Sequence, residues 1–313
     1  MSIPRTILGG GQLPDRITIR EVGARDGLQA EAPISVEQRL ELIDALLTAG
    51  VTHLEATAFV SPKAVPSMAG AADVLAGLGA PEGVVRAALV PNVRGAEMAL
   101  AAGVDELTVT ISASATYNER NVHMSIDESL DAIGAICALA AAASVPVDVV
   151  VSCAFGSPYE GDLAPADVVA LVARLWAEGA SAITLADTTG MATPRRISDV
   201  LSLTNSMHPQ VVGLHLHETR GTGLVNFYAG LQAGVVRFDT SVGGLGGSPF
   251  AAGAAGNVAT EEAVALCDDL GIATGISVDG MIDAALLVER FIGRPVPSRV
   301  AHAGPRSRRA QGY

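Results

Sequence analysis

Two histidines one residue apart, His215 and His217 in the segment GLHLHET, are the sharpest chemical signal in the chain. Alternate residues of a strand point to the same side, so both imidazoles can approach one metal ion. An HxH pair alone is a weak motif, and its weight comes from company. After a first apolar strand stand Glu21, Arg25, Asp26 and Gln29, a second strand reaches Glu55, and a sixth reaches Asp187. Asp26 could add an oxygen ligand to the two imidazoles. A mixed imidazole, carboxylate and amide site suits Mg2+ or Mn2+ better than a thiolate site would, with zinc a less fitting choice. Any one of these polar residues could be a satisfied core group; their coincidence at one end of several strands argues for chemistry.

The elements that must position them recur with a regular beat. Short β-rich runs occupy 16–22, 51–56, 84–90, 106–111, 147–152, 182–186, 211–215 and 235–241, with helical spacing between them, as in 35–49 and 164–178. Eight alternating units predict an α/β fold with a parallel sheet covered on both sides, and eight favours closure into a TIM (β/α)8 barrel over an open sheet. Active sites of such barrels lie at the carboxyl ends of the strands, where the polar residues above fall. Gly50, Gly103, Gly179 and Gly234, each just before a strand, read as helix terminators. The expected organisation is one catalytic barrel domain over residues 1–313, the barrel spanning about 15–260 and amphipathic helices 261–300 packing outside it or across one end. The stretch 295–313 reads as a loose, solvated tail.

Composition narrows the function classes. With 313 residues, 49% apolar, the chain can bury a large core. A net charge of -13 argues against a nucleic-acid partner, which would require a basic face. No run is long and apolar enough to suggest a membrane span, and the first residues do not resemble a secretory signal. Cys137, Cys153 and Cys267 are odd in number and lack a CxxC pair, so reduced buried thiols in a cytoplasmic protein are expected. The segment 243–257, GGLGGSPFAAGAAGN, is nearly all glycine and alanine and could be a mobile lid; without GxxxxGK[ST], or a GxGxxG after the first strand, it gives no nucleotide-binding signature.

Taken together, REVGARDGLQ (20–29), AFVSPKAVP (58–66), SCAFGSPYEG (152–161), LADTTGMATP (185–194), HLHET (215–219) and the glycine-rich segment resemble the 3-hydroxy-3-methylglutaryl-CoA lyase family of DRE-TIM metallolyases. The resemblance spans roughly residues 15–275. It implies metal ligation by Asp26, His215, His217 and Asn257, and an arginine, Arg25, that stabilises a developing enolate oxygen. It makes Glu55 and Asp187 supporting or proton-handling acids and His217 a helper in removing the substrate hydroxyl proton. Gln29 and Asn121 become candidate substrate contacts, with Lys63, Arg94 and Arg120 as further candidates toward an acyl-CoA. A homodimer is also implied. One position departs from the family: its lid cysteine, in GGCP, is replaced by Ser248 in GGSP, and serine is a far weaker acid than a thiol. A related thioester such as citramalyl-CoA, a condensing enzyme of the isopropylmalate synthase type, or a catalytically inactive metal-binding relative are the competing readings.

Overall fold

The structure is a computed structural model that describes residues 13–207, 212–247 and 256–308. Eight parallel strands close into a barrel in chain order: β1 (Thr18–Glu21), β2 (His53–Ala58), β3 (Val85–Leu89), β4 (Glu106–Ser112), β5 (Val147–Ser152), β6 (Ala182–Ala186), β7 (Gly213–His215) and β8 (Arg237–Thr240). β8 pairs with β1 from Thr18 opposite Arg237 to Glu21 opposite Thr240, which leaves no free edge. The TIM barrel expected from eight apolar beats is therefore the observed fold.

The surrounding helices are α1 (Val36–Thr48), α2 (Ala71–Leu78), α3 (Val93–Ala101), α4 (Ala115–Val122), α5 (Ile126–Ala142), α6 (Pro165–Ala177), α7 (Pro194–Met207), α8 (Gly223–Gln232), α9 (Thr260–Leu270), α10 (Val278–Ile292) and α11 (Arg299–Ala303). Local chemistry sets their ends. α1 opens on a capping box in which the Ser35 hydroxyl and the Gln38 side chain satisfy each other's backbone N–H groups. Ser125 and Glu128 do the same for α5. The four terminator glycines all sit at positive φ, from 76° to 99°.

α9 follows β8 as the eighth crossover helix, and α10 packs between it and α1, so both join the outer helical layer. As far as Arg308 the tail is more ordered than its composition suggested, and 309–313 lie outside the described residues. Val296 is buried, Ser298 caps α11, and the Ser298 N–H donates to the carbonyl of Gly243 at 3.1 Å. Arg306 pairs with Asp269 and Arg308 with Asp279, so these arginines answer acidic residues of α9 and α10. A few buried apolar anchors decided what a charge-rich composition could not.

The barrel interior departs from the usual filling of branched apolar side chains. Arg20, 1% exposed, points inward from β1 and holds Asp239 of β8 through two hydrogen bonds of 2.9 and 2.7 Å. The same guanidinium lies 2.8 Å from Asp148 and 3.2 Å from Glu106, and Arg237 reaches Asp148 at 3.0 Å. A buried cation is tolerable only when paired and hydrogen-bonded this fully. This ionic layer forms a floor under the barrel mouth.

Candidate active site

Directly after β1 the chain makes a single π-helical turn, Gly23–Gly27, in which the N–H groups of Asp26 and Gly27 share the carbonyl of Val22. The turn is tight because Gly23 lacks a side chain: a Cβ there would stand 2.6 Å from both Glu21 Oε1 and Val242 Cγ1. It turns Arg25 and Asp26 over the mouth. Arg25, 7% exposed, donates to Glu55 of β2, to Asp26 Oδ1 at 2.8 Å and to Gln29 Oε1 at 3.3 Å. Glu55 is mid-strand, because β2 runs three residues beyond it to Ala58 with a register shift between Glu55 and Thr57. The expectation that the second strand ends at Glu55 is thus corrected: the side chain faces into the barrel rather than standing at the strand's tip.

Across the barrel, His215 ends β7 and His217 follows it, bridging Asn257. Their Nε2 atoms face each other at 3.1 Å, and His215 Nε2 lies 4.0 Å from Asp26 Oδ2. Ligand atoms of Asp26, His215 and His217 all fall within 4.8 Å of one another. Asn257 completes the group: its Nδ2 donates to Asp26 Oδ2 at 2.7 Å and to the Leu245 carbonyl at 2.9 Å, while its buried Oδ1 has no hydrogen-bond partner. Two facing imidazole nitrogens, a carboxylate and an orphaned amide oxygen are a donor set that fits a divalent cation. Gly246 approaches this group with φ +112°, and a Cβ on it would collide with Asn257 Nδ2 and reach Asp26 Oδ2 at 3.0 Å.

Asp239 was not singled out in the sequence, yet it holds the centre in place. Its Oδ2 lies 3.1 Å from His215 Nδ1, and if that nitrogen carries the proton the Nε2 lone pair is turned toward the cation site. The signal in the sequence was a charged residue inside a β run. Burial opposes charge on His215, but the hydrogen bond and charge of Asp239, then Asp26, outweigh it and raise its pKa. Burial and the neighbouring charge of His215 hold His217 down at about 4. Asp26 is resisted by burial and still held below the ordinary carboxylate range by Arg25 and the two histidines.

The remaining candidates separate. Arg25, Asp26, Gln29, Asn121, His215 and His217 line one cavity of about 430 Å³ at the mouth. Asp187 is not on its wall; it sits under the β6 end with one oxygen taking the Ala192 N–H at 2.9 Å and Oδ2 buried without a partner, and burial pushes its pKa up to about 7. Lys63, Arg94 and Arg120 are exposed and off the wall, Arg120 lying over the Tyr159 ring at 4.5 Å. Ser152 and Thr188, not proposed from sequence, do line the cavity. Ser248 lies outside the described residues, as does most of the suggested lid. The three cysteines are buried and unpaired, and burial raises their thiols to about 11 or 12, far from a reactive range.

Fold and site together define a TIM-barrel enzyme with a candidate metal centre at the carboxyl ends of its strands. Comparison with known proteins makes this narrower. The HMGL-like family model matches residues 16–288. The chain is 41% identical over 293 residues to mitochondrial hydroxymethylglutaryl-CoA lyase of Macaca fascicularis, covering 93% of this chain and 90% of that one. It is 40% identical over 293 residues to the 3-hydroxy-3-isohexenylglutaryl-CoA/hydroxymethylglutaryl-CoA lyase of Pseudomonas aeruginosa, covering 93% and 98%. Among solved structures, an HMG-CoA lyase from Acinetobacter baumannii in complex with coenzyme A and 3-methylmalate superposes with a TM-score of 0.91 at 35% identity, covering all of both chains. The protein belongs to the HMGL-like family and is a carbon-carbon lyase. Among the described residues, no helix is long and apolar enough to cross a membrane.

Proposed function

We propose that the protein cleaves 3-hydroxy-3-methylglutaryl-CoA to acetyl-CoA and acetoacetate by a retro-Claisen reaction. The observation that carries this reading is the convergence of Asp26, His215 and His217 on one point beside the buried guanidinium of Arg25. Asp26, His215, His217 and Asn257 would hold Mg2+ or Mn2+, which when bound lowers the pKa of a substrate hydroxyl and orients the adjacent carboxylate.

The chain's own residues supply the rest. Arg25 is fixed by Glu55 and Asp26 before substrate arrives, so its charge is already aimed at the thioester oxygen where the enolate develops, and no reorganisation is needed at that moment. Gln29 holds Arg25 from a second side and shares the cavity wall with Asn121 on α4, which supports reading both as contacts for the acyl chain. In the overall balance the C2–C3 bond breaks, the C3 hydroxyl oxygen becomes a ketone, the electron pair passes to the enolate, and one proton moves from the hydroxyl to C2. A ring nitrogen cannot hold a cation and a proton at once, and the 3.1 Å separation of the two Nε2 atoms supports reading His217 Nε2 as a ligand rather than as the group that takes that proton. Asp187 supports β7, its N–H donating to the His215 carbonyl at 2.8 Å. In sequence, Ser248 of GGSP replaces the cysteine of the family's GGCP segment, which is assigned to proton transfer.

A cytoplasmic setting and a homodimer are parts of the same reading, the first supported by three unpaired thiols. The relatives named as hydroxymethylglutaryl-CoA lyases lend no support to citramalyl-CoA as the main substrate or to an inactive role. The test is to incubate purified protein with Mn2+ or Mg2+ and either 3-hydroxy-3-methylglutaryl-CoA or each citramalyl-CoA enantiomer. Stoichiometric acetyl-CoA and acetoacetate from the first supports the reading; cleavage of citramalyl-CoA alone, or of nothing, sinks it.

A further inference from the structure

Arg39 lies on the buried face of α1, 1% exposed, and forms no ion pair among the described residues; burial alone acts on its guanidinium and pulls its pKa down to about 10. The other buried arginines, Arg20, Arg25 and Arg86, each hold an acid. A buried cation without a counter-charge is costly, and a leucine or methionine would fill the same face of α1 without that cost. What the guanidinium supplies is a fork of hydrogen bonds to two segments. Its Nη2 donates to Thr57 Oγ1 at 2.8 Å and to the Ala56 carbonyl at 3.4 Å, and its Nη1 donates to the Ala69 carbonyl at 3.0 Å.

Both segments lead to Arg25. Residues two apart in a regular strand share a face, yet Thr57 turns outward to α1 while Glu55 turns into the barrel. The difference is a bulge: Glu55 pairs with Ala87 and Thr57 with the next residue, Ala88, so Ala56 is left out of the ladder. Glu55 then holds Arg25 through one oxygen, Oε2, its Oε1 being buried without a partner. On the second side, Ala69 follows the short 3-10 turn Pro66–Met68, whose Ser67 hydroxyl donates to the Gln29 carbonyl at 2.8 Å, and Gln29 Oε1 accepts from Arg25.

We propose that Arg39 is a positioning residue for the lyase reaction: by tying the β2 bulge to the 66–69 turn it sets where Glu55 and Gln29 stand, and through them where the Arg25 guanidinium points. The inference rests on the lyase reading above and adds to it a residue outside the cavity. Arg39 is on neither the cavity wall nor the donor set of the cation site, so it can act only through these neighbours. A charge that must meet a developing enolate oxygen tolerates little displacement, since a shift of about 1 Å costs up to roughly 100-fold in rate.

The experiment measures kcat and KM of the metal-loaded enzyme on 3-hydroxy-3-methylglutaryl-CoA for Arg39→Met and Thr57→Val, each made in the wild type and in Arg25→Met, with folding checked by circular dichroism. In the wild-type background either replacement should lower kcat about 10- to 100-fold with KM within about twofold. In Arg25→Met, where the charge they position is gone, the same replacement should lower kcat less than about twofold. Equal losses in the two backgrounds mean a general structural role and overturn the proposal. A second readout needs no turnover. With the arginines labelled with nitrogen-15, the Nε–H signal of Arg25, assigned by its absence in Arg25→Met, should exchange with solvent at least about tenfold faster in each variant than in the wild type; an unmoved rate overturns the proposal. If Arg39→Met does not fold, Thr57→Val, which removes an acceptor and keeps the side chain's shape, carries both comparisons. If the wild type does not cleave this thioester, the substrate reading falls, and the exchange rate still decides whether Arg39 positions Arg25.

Discussion

At the scale of single residues, each charge of the candidate site is held by a partner that leaves one side of it free. Asp239 is the clearest case. It bonds one nitrogen of His215 and is itself gripped by Arg20, so the imidazole has one orientation and one favoured tautomer. Asp239→Asn keeps the shape and removes the charge; Mn2+ affinity measured by calorimetry should fall about 10- to 100-fold, the range typical of lost outer partners. His217→Ala should lower that affinity at least as far, and unchanged affinity with lost turnover would return His217 to proton transfer. Arg25→Met should cut kcat by roughly 10²–10³ with little change in KM, as expected when a preorganised charge acts on the transition state. For Ser248, a thiol is the better acid near neutral pH. Ser248→Cys should therefore raise kcat on 3-hydroxy-3-methylglutaryl-CoA several-fold, read by acetyl-CoA release.

At the scale of elements, two loops meet to make the centre. The turn after β1 brings Arg25 and Asp26, and the segment after β8 returns through Gly246 to Asn257, whose side chain ties the two together. Packing there leaves no space for one added carbon. Gly246→Ala should displace Asn257 and weaken Mn2+ binding at least tenfold. A barrel independent of the loop would keep its thermal transition within a few degrees, and a collapse of folding would show instead that the loop is part of the core.

At the scale of the whole molecule, the buried acids set the pH response. Glu21 takes the N–H groups of Gly23 and Val242, and Glu261 takes that of Gly243, so both brace the root of the glycine-rich segment. Burial raises each to about 7, and Asp187 likewise. An acid whose folded pKa lies above its unfolded value binds protons more readily when folded, so its cost to stability grows as pH rises from about 4.5 toward 7. Glu160 is the opposite case: hydrogen bonds from Ser114 and Thr116 outweigh burial and hold it at about 2, so its contribution is lost as pH falls from about 4.5 to 2. The metal-free protein should be most stable near pH 5, with its melting temperature falling toward pH 8. Glu21→Gln should flatten that decline, on the order of 2 kcal/mol between the ends; a melting temperature rising from pH 5 to 8 in the wild type would contradict the raised values.

Much of this was open to the sequence. Strand period, helix caps and terminator glycines are local, so eight strands could be placed within a few residues, and β5 and β6 at their observed bounds. His215, His217, Asp26 and Arg25 were legible because polar residues interrupt apolar runs at strand ends. What lay beyond reach were relations between distant segments. Arg20 and Asp239 are 219 residues apart and become one ion pair only when β1 closes onto β8. The ordered stretch up to Arg308 depends on Val296 and Ser298 meeting the segment after β8. Residue type and spacing determined which groups could do chemistry; ring closure decided which of them meet, because burial, pairing and cavity shape are properties of neighbours that the chain order does not contain.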